Sequence, residues 1–343
     1  MTVEPLLQFD HSLRQHNTFG IDVRAHAYLP IFSVADLCSA AQNPTLASLP
    51  RLILGGGSNI LLQADFPGLV LHMCNRGIEC TGEDERAMVV RAAAGESWHQ
   101  LVLWTLSQGW GGLENLSLIP GSVGAAPIQN IGAYGAELQD CFHSLTAFDM
   151  QTGEIFTLDK AACQFAYRDS VFKHALRDRA VILDVSFALP KHWQANLRYA
   201  ELRQAVEQQG LQSPTPQEIS AAVIAIRSRK LPDPAVIGNA GSFFKNPVIA
   251  AAQHAQLLVM FPNLVSYPQN DGSFKLAAGW LIDQCGWKGK TLGRAGVYPK
   301  QALVLTNLGG ASGAEIAQLA AAIQADVEQR FAVKLEPEPL YIA

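Results

Sequence analysis

The sequence predicts an α+β protein with more than one subdomain, and three observations predict it. At 343 residues the chain exceeds what a single hydrophobic core usually organises. Its first half is dominated by short apolar runs punctuated by glycine, a pattern of strands with interspersed helices. Beyond the KLPDP turn at 230–234 the pattern changes to helical stretches around one strand, which reads as a separate α+β unit.

The elements follow in order. RLILGGGSNILL, GLVLHM and AMVVRAAAGE, between residues 51 and 96, are strand-like runs bounded by turn signals. SWHQLVLWTLSQG predicts a helix with Ser97 as its N-terminal cap and Gly109 as its left-handed stop. Strands return at LTAFDM, EIFTLD and AVILDVSFAL. EISAAVIAIRSRK is a helix with a basic C-terminal end, stopped by Pro232 and Pro234. Helices are expected over VIAAAQHAQLLVMF, LAAGWLIDQCG and SGAEIAQLAAAIQADVEQRF, with strand ALVLTN between the last two. The tail VKLEPEPLYIA is extended and is expected to rejoin the rest of the protein.

Composition narrows the function classes. An apolar share of 49% against 16% charged residues predicts a thoroughly folded chain. A net charge of −5 offers no broad basic face for nucleic acid, although local Arg and Lys suffice for small anions. The start, MTVEPLLQFDHSLRQ, carries Glu4 and Asp10 and lacks a basic region followed by an apolar run, so no signal peptide is expected. No apolar run is long enough to span a bilayer, and a cytoplasmic location is the expectation. The six cysteines form no CxxC pair and the nine histidines no HExxH, so reduced thiols and no metal site are expected.

Two glycine-rich passages carry chemistry. LILGGGSNILL fails as a dinucleotide fingerprint, because Ile60 stands where glycine is needed, and fails as a phosphate loop, because it lacks GK[ST]. It reads either as a nest of backbone N–H groups for a phosphate oxygen or as a plain hairpin turn. IPGSVGAAPIQNIGAYG, residues 119–135, is nearly chargeless, with Ser122, Gln129, Asn130 and Tyr134 as polar handles. It lets backbone approach a large flat ligand and its pyrophosphate, or forms a buried crossover. Together the passages favour an ADP-containing cofactor.

NTFGI at 17–21, LGGGSNIL at 54–61, the 119–135 passage, YRDSVFK at 167–173, KLPDP, GNAGSFFKNP at 238–247, KLAAGWLIDQCG at 275–286 and LEPE at 335–338 occur together and in order. On these motifs the chain resembles the UDP-N-acetylenolpyruvoylglucosamine reductase family over nearly its whole length. WQANLRYAEL at 193–202 is similar to the extra tyrosine-bearing loop of one family subtype. The resemblance implies an FAD-binding fold of the p-cresol methylhydroxylase type in two subdomains, plus a smaller α+β substrate-binding domain. The implied boundaries are 1–76 with 334–343, then 77–231, then 232–333.

The implied activity is NADPH-dependent reduction of UDP-N-acetylglucosamine enolpyruvate to UDP-N-acetylmuramate through non-covalent FAD, for peptidoglycan. The implied FAD contacts are Gly55, Gly56, Gly57, Ser58, Asn59, Ile60, Pro120, Gly121, Ser122, Gly124, Ala125, Gln129, Asn130, Gly132, Ala133 and Tyr134. Tyr167, Tyr199, Lys230, Asn246 and Gln301 are implied for the substrate, and a monomer is expected. NADPH is expected to use the same cleft first.

The reaction gives the implied catalytic set its logic. Hydride delivered to the methylene carbon leaves negative charge beside a carboxylate, which calls for a pre-placed cation. Arg168 supplies a guanidinium that meets a carboxylate through two hydrogen bonds. The strongly basic carbon then needs only a weak acid held close, and Ser242 fits that role without a histidine. Protonated Glu338 would donate a hydrogen bond to the developing enolate. Without the resemblance, Ser242 reads as a turn hydroxyl, Arg168 as a partner of Asp169 or Asp178, Glu338 as a solvated carboxylate and Lys230 as a helix-terminal cation. GNAGSFF is not a hydrolase elbow, since Phe244 replaces the second glycine. An oxygen-using flavin oxidase and a colourless nucleotide-sugar binding module remain the alternatives. Pro339 after Glu338, and Ala125 and Ala126 in the second loop, depart from the family pattern.

Overall fold

The computed structural model describes residues 7–343, so Glu4 lies outside the described residues. The chain divides into two compact units. The first takes in residues up to His11, Ala25–Gly57 and Pro67–Arg229, and the second takes in Ser12–Arg24, Ser58–Phe66 and Lys230–Ala343.

In the first unit a four-stranded sheet has the order Gln8–Ser12, Arg24–Ile31, Phe66–Met73, Arg51–Leu54. Arg51–Leu54 runs parallel to the 66–73 strand, pairing Arg51 with Leu69 and Leu54 with His72. Leu69, Val70 and Leu71 are all buried, as a strand covered on both faces requires. The second sheet is antiparallel, in the order Ile155–Asp159, Phe142–Asp149, Ala180–Pro190, Ala87–Ala93, Ile78–Glu83.

The helix Trp98–Ser107 starts at Ser97, and Gly109 follows it at φ +81°. Its buried Trp98, Leu101, Val102, Thr105 and Leu106 recur at helical spacing and form one face. Trp98 stacks edge-on to Phe187 and donates its indole N–H to Leu116 O at 2.9 Å. Two further helices, Ala200–Gln208 and Pro216–Lys230, bury Leu202, Val206, Ile219, Ala222, Val223 and Ile226 in a small core.

The second unit is built on a sheet ordered Gly238–Ser242, Val304–Asn307, Ala295–Val297, Thr291–Leu292. The helix Gly313–Phe331 opens with a capping box between Ser312 and Glu315 and packs on this sheet. A Cβ on Gly313 would lie 1.9 Å from Leu62 O, so this helix starts hard against the strand Ile60–Leu62. That strand pairs in parallel with Leu340–Ile342, so the extended tail rejoins the protein. The helix expected from Val248 begins instead at Ala251, because Val248–Ile249 pairs with Phe274–Leu276 as a short strand after Pro247. The separation into strand-rich and mixed parts matches the α+β class. Among the described residues no helix is long and apolar enough to cross a membrane. Nor do they include three or more His, Cys, Asp or Glu grouped to hold a metal.

Candidate active site

In the first unit the two glycine passages press on one another. A Cβ on Gly55 would lie 2.1 Å from Ser122 Oγ, and one on Gly56 would lie 2.9 Å from Gly121 Cα. Only glycine permits that approach. The second loop is laced to the segment before the 98–107 helix: Val123 N–H donates to Glu96 O at 2.8 Å and Gly124 N–H to Ala94 O at 2.9 Å. The first passage is not a hairpin turn, since the strand before it pairs with 66–73 and the strand after it with 340–342. Its residues Ser58, Asn59 and Ile60 belong to the second unit, while Gly55, Gly56 and Gly57 belong to the first.

Ser122 Oγ is buried and has no hydrogen-bond partner. A buried hydroxyl is normally paired, so this one is available to a ligand oxygen. The glycine-only contact and the unpartnered hydroxyl fit a group carrying phosphate. The alanines at 125 and 126 add no side-chain donor or acceptor to this loop.

Asn130 ends the short helix Val123–Gln129 in a left-handed conformation, φ +45°. It is fully buried and donates to Glu137 Oε2 at 2.9 Å and Ala166 O at 3.2 Å while accepting from Gln139 N–H at 3.0 Å. Asn130 thus joins the glycine loop to the turn that carries Tyr167 and Arg168. Arg168 itself adopts φ +55°, donates from Nη2 to Gly132 O at 2.8 Å and lies over the Tyr167 ring at 5.4 Å. Asp169 is engaged by His174 at 2.8 Å and Asp178 by Arg177 at 3.5 Å. Neither of the two ion pairs that the residues alone allowed for Arg168 is what these carboxylates make.

Arg227 is a residue that sequence reasoning missed. Its guanidinium is buried, bonds to the Tyr134 phenol and keeps an unpartnered Nε. Burial holds its pKa below the ordinary arginine value, and the same burial pushes Tyr134 up to about 12. The available signal was helical periodicity, since Arg227 follows Val223 by four residues and Ile219 by eight, both on the buried face. His99 accepts the Leu118 N–H at Nδ1 over 3.0 Å, and burial, then Arg227, holds its pKa below the usual histidine value. The Tyr199 ring packs edge-on to Tyr134 at 5.1 Å.

In the second unit the backbone that follows Ser242 pairs with that around Glu338, 96 positions further along the chain. Glu338 N–H donates to Phe243 O at 2.8 Å, and Phe244 bridges Pro337. The ladder is irregular between Asn239 and Ser242, and Gly241 takes φ +69°. This bulge leaves Ser242 exposed while both following phenylalanines are buried, which anchors the hydroxyl at the surface. Asn59 Nδ2 donates to Glu338 O at 3.2 Å and Leu340 N–H donates to Asn59 O at 2.9 Å. Donors are therefore needed at 338 and 340 and not at 339, which is why Pro339 fits.

Asn239 ties the Ser242 strand to the KLPDP turn by donating to Pro232 O at 3.2 Å. Lys230 ends its helix beside that turn. Asn246 Oδ1 accepts the Ala278 N–H at 3.0 Å, and a Cβ on Gly279 would lie 3.1 Å from Gln301 Oε1. Asn246 and Gln301 therefore each reach the first turn of the helix Ala278–Gln284.

A model of the UDP-N-acetylenolpyruvoylglucosamine reductase C-terminal domain matches residues 233–342, and an FAD binding domain model matches residues 28–159. The second span holds the strand, both glycine passages and their contacts. The chain is 56% identical over 333 residues to the UDP-N-acetylenolpyruvoylglucosamine reductase of Paraburkholderia phymatum, covering 96% of each. It is 54% identical to that of Pseudomonas fluorescens, covering 97% of this chain and 98% of the relative. The solved structure of the Thermus caldophilus UDP-N-acetylenolpyruvylglucosamine reductase (MurB) superposes with a TM-score of 0.67 at 22% identity, covering 98% of this chain and 99% of that one, so the fold is shared. On these relatives the chain belongs to the UDP-N-acetylenolpyruvoylglucosamine reductase family.

Proposed function

We propose that the chain reduces UDP-N-acetylglucosamine enolpyruvate to UDP-N-acetylmuramate, using FAD with NADPH as electron donor. The observation that supports this reading most is the backbone pairing of the segment after Ser242 with the tail that carries Glu338, two stretches that no local sequence feature connects. Residues 55–60 and the residues of the 120–134 loop named above would hold the FAD, the Ser122 hydroxyl offering a donor and Arg227 a buried positive charge. FAD, when bound, would supply a hydride-transferring group between NADPH and the methylene carbon.

The side chains handle the charge and the proton. Arg168, steadied by Gly132 O, receives the substrate carboxylate and offsets the charge that grows beside it. Ser242 Oγ gives its proton to the adjacent carbon, completing the new C–H bond, and the serine recovers a proton from solvent. Glu338, in its protonated form, donates to the enolate oxygen. Lys230 neutralises diphosphate charge in an otherwise acidic protein, and Tyr167, Tyr199, Asn246 and Gln301 complete the nucleotide-sugar contacts. The chain acts as a cytoplasmic monomer in three parts, bounded as 1–76 with 334–343, 77–231 and 232–333.

Mass analysis of a reaction with NADPH and the enolpyruvyl sugar tests this reading. A product heavier by two hydrogens, formed in step with NADPH loss and without peroxide, is expected. Peroxide formed in place of that product would assign the chain to oxidase chemistry.

A further inference from the structure

The segment 193–199 has no regular secondary structure, yet it is pinned along its length. Trp193 donates its indole N–H to Glu114 Oε1 at 2.8 Å. Asn115 Nδ2 donates to Asn196 O at 2.9 Å and to Tyr134 O at 2.8 Å. Asn196 Nδ2 in turn donates to Gly135 O at 2.9 Å, and Tyr199 reaches the Tyr134 ring. The anchor is therefore one short helical turn, Glu114–Leu116, lying 81 positions before Asn196.

Both anchoring side chains are out of water, Glu114 at 3% exposure and Asn115 at 1%. A buried carboxylate is costly unless donors surround it, and this one is met by the Trp193 indole and by Gly112 N–H at 2.5 Å. Asn115 spends both amide hydrogens on carbonyls of two different loops, while its Oδ1 has no partner. The amide orientation is fixed by those two acceptors. A Cβ on Gly111 would lie 2.5 Å from the Trp193 ring, so this stretch leaves no space between anchor and segment.

We propose that Glu114 and Asn115 are positioning residues for the nucleotide half of the substrate, fixing the 193–199 segment so that Tyr199 is presented beside Tyr134. This rests on the proposed contact between Tyr199 and substrate. Asn115 acts through Tyr199, and its substitution is felt as weakened binding of the sugar nucleotide.

The test uses FAD-loaded Asn115→Asp, which keeps the volume and replaces both N–H donors by oxygen. Losing two buried hydrogen bonds is expected to raise the KM for the enolpyruvyl sugar nucleotide about tenfold and to speed amide exchange across 193–199 by at least about tenfold. In a Tyr199→Ala background the same substitution is expected to move that KM by less than about twofold, because the residue it positions is gone. An equal KM shift in both backgrounds, or a folded variant with parental exchange, overturns the proposal. Should Asn115→Asp fail to fold, Trp193→Phe removes only the N–H to Glu114. An increase of about threefold in KM with faster exchange is then expected, and parental values for both overturn the role of Glu114. Exchange is read without substrate. A parent chain whose variant loosens the segment but which never turns over the sugar nucleotide overturns the functional reading, and the positioning role with it, while the anchor itself stands.

Discussion

Asn59 holds Glu338 from both sides: its amide donates to Glu338 O at 3.2 Å and its carbonyl accepts the Leu340 N–H at 2.9 Å. The residue that closes the glycine turn thus fixes the backbone of the carboxyl in the tail. Through Glu338 N–H and Phe243 O that order extends to the strand ending at Ser242.

Ser242→Ala should separate the two half-reactions. Reduction of bound FAD by NADPH is expected to stay within about twofold of the parent, whereas transfer to the enolpyruvyl sugar slows by about 10²–10⁴ because only that step consumes a proton. Rapid-mixing absorption measures both. Equal losses in the two would remove Ser242 from the role of acid.

Arg168→Gly tests whether strain is tolerated for function. Arg168 sits at φ +55°, which glycine adopts freely, so relief of about 1 kcal/mol offsets part of what is lost with the guanidinium, including its hydrogen bond to Gly132 O and its place over the Tyr167 ring. The thermal midpoint should therefore fall less than for Arg168→Ala, while kcat/KM falls about 10²-fold or more in both. A large drop in the midpoint with kcat/KM retained would make Arg168 a structural residue.

Ser122→Ala addresses the cofactor cradle. The hydroxyl is buried without a protein partner, so deleting it should leave the cofactor-free protein as stable as the parent or slightly more so. Affinity for FAD is expected to fall about tenfold, as measured by flavin fluorescence on titration. Gly55→Ala should be worse for both, since its Cβ would lie 2.1 Å from Ser122 Oγ.

Acid unfolding should depend on Asp149 and Glu315. The Arg179 guanidinium, with backbone N–H groups of Gln151 and Thr152, brings Asp149 from 3.8 down to about 2. The Ser312 backbone N–H, then Arg294, bring Glu315 from 4.5 to about 2. Both native values are depressed, so their contribution is present above the unfolded values and is lost as pH falls from about 4.5 towards about 2. Denaturant midpoints across that window should drop more steeply for the parent than for Asp149→Asn. Parallel slopes would show that Asp149 carries none of the loss.

The residues that sequence reading reached are those whose chemistry is local. The turn at KLPDP, the helix after Ser97 and the run of glycines at 55–57 are each set by a few neighbouring residues, and the folded chain keeps them. Long-range partners were not legible in the same way. Nothing near GGGSN indicates that the strand after it pairs with 340–342 rather than folding back as a hairpin. Glu114 and Asn115 look like ordinary polar residues in LENLS until Trp193 and Asn196 arrive from about 80 positions away. Arg227 reads from sequence as part of a basic helix end, where favourable placement near the macrodipole hides that its guanidinium is held away from water against Tyr134.

The most direct test of the account is an anaerobic absorption titration of the purified protein, adding NADPH and then UDP-N-acetylglucosamine enolpyruvate. Flavin bands that bleach with the first addition and return with the second are expected. Bands that bleach and stay bleached would contradict the assigned acceptor, and a protein that neither carries nor takes up flavin would contradict the account at its glycine cradle.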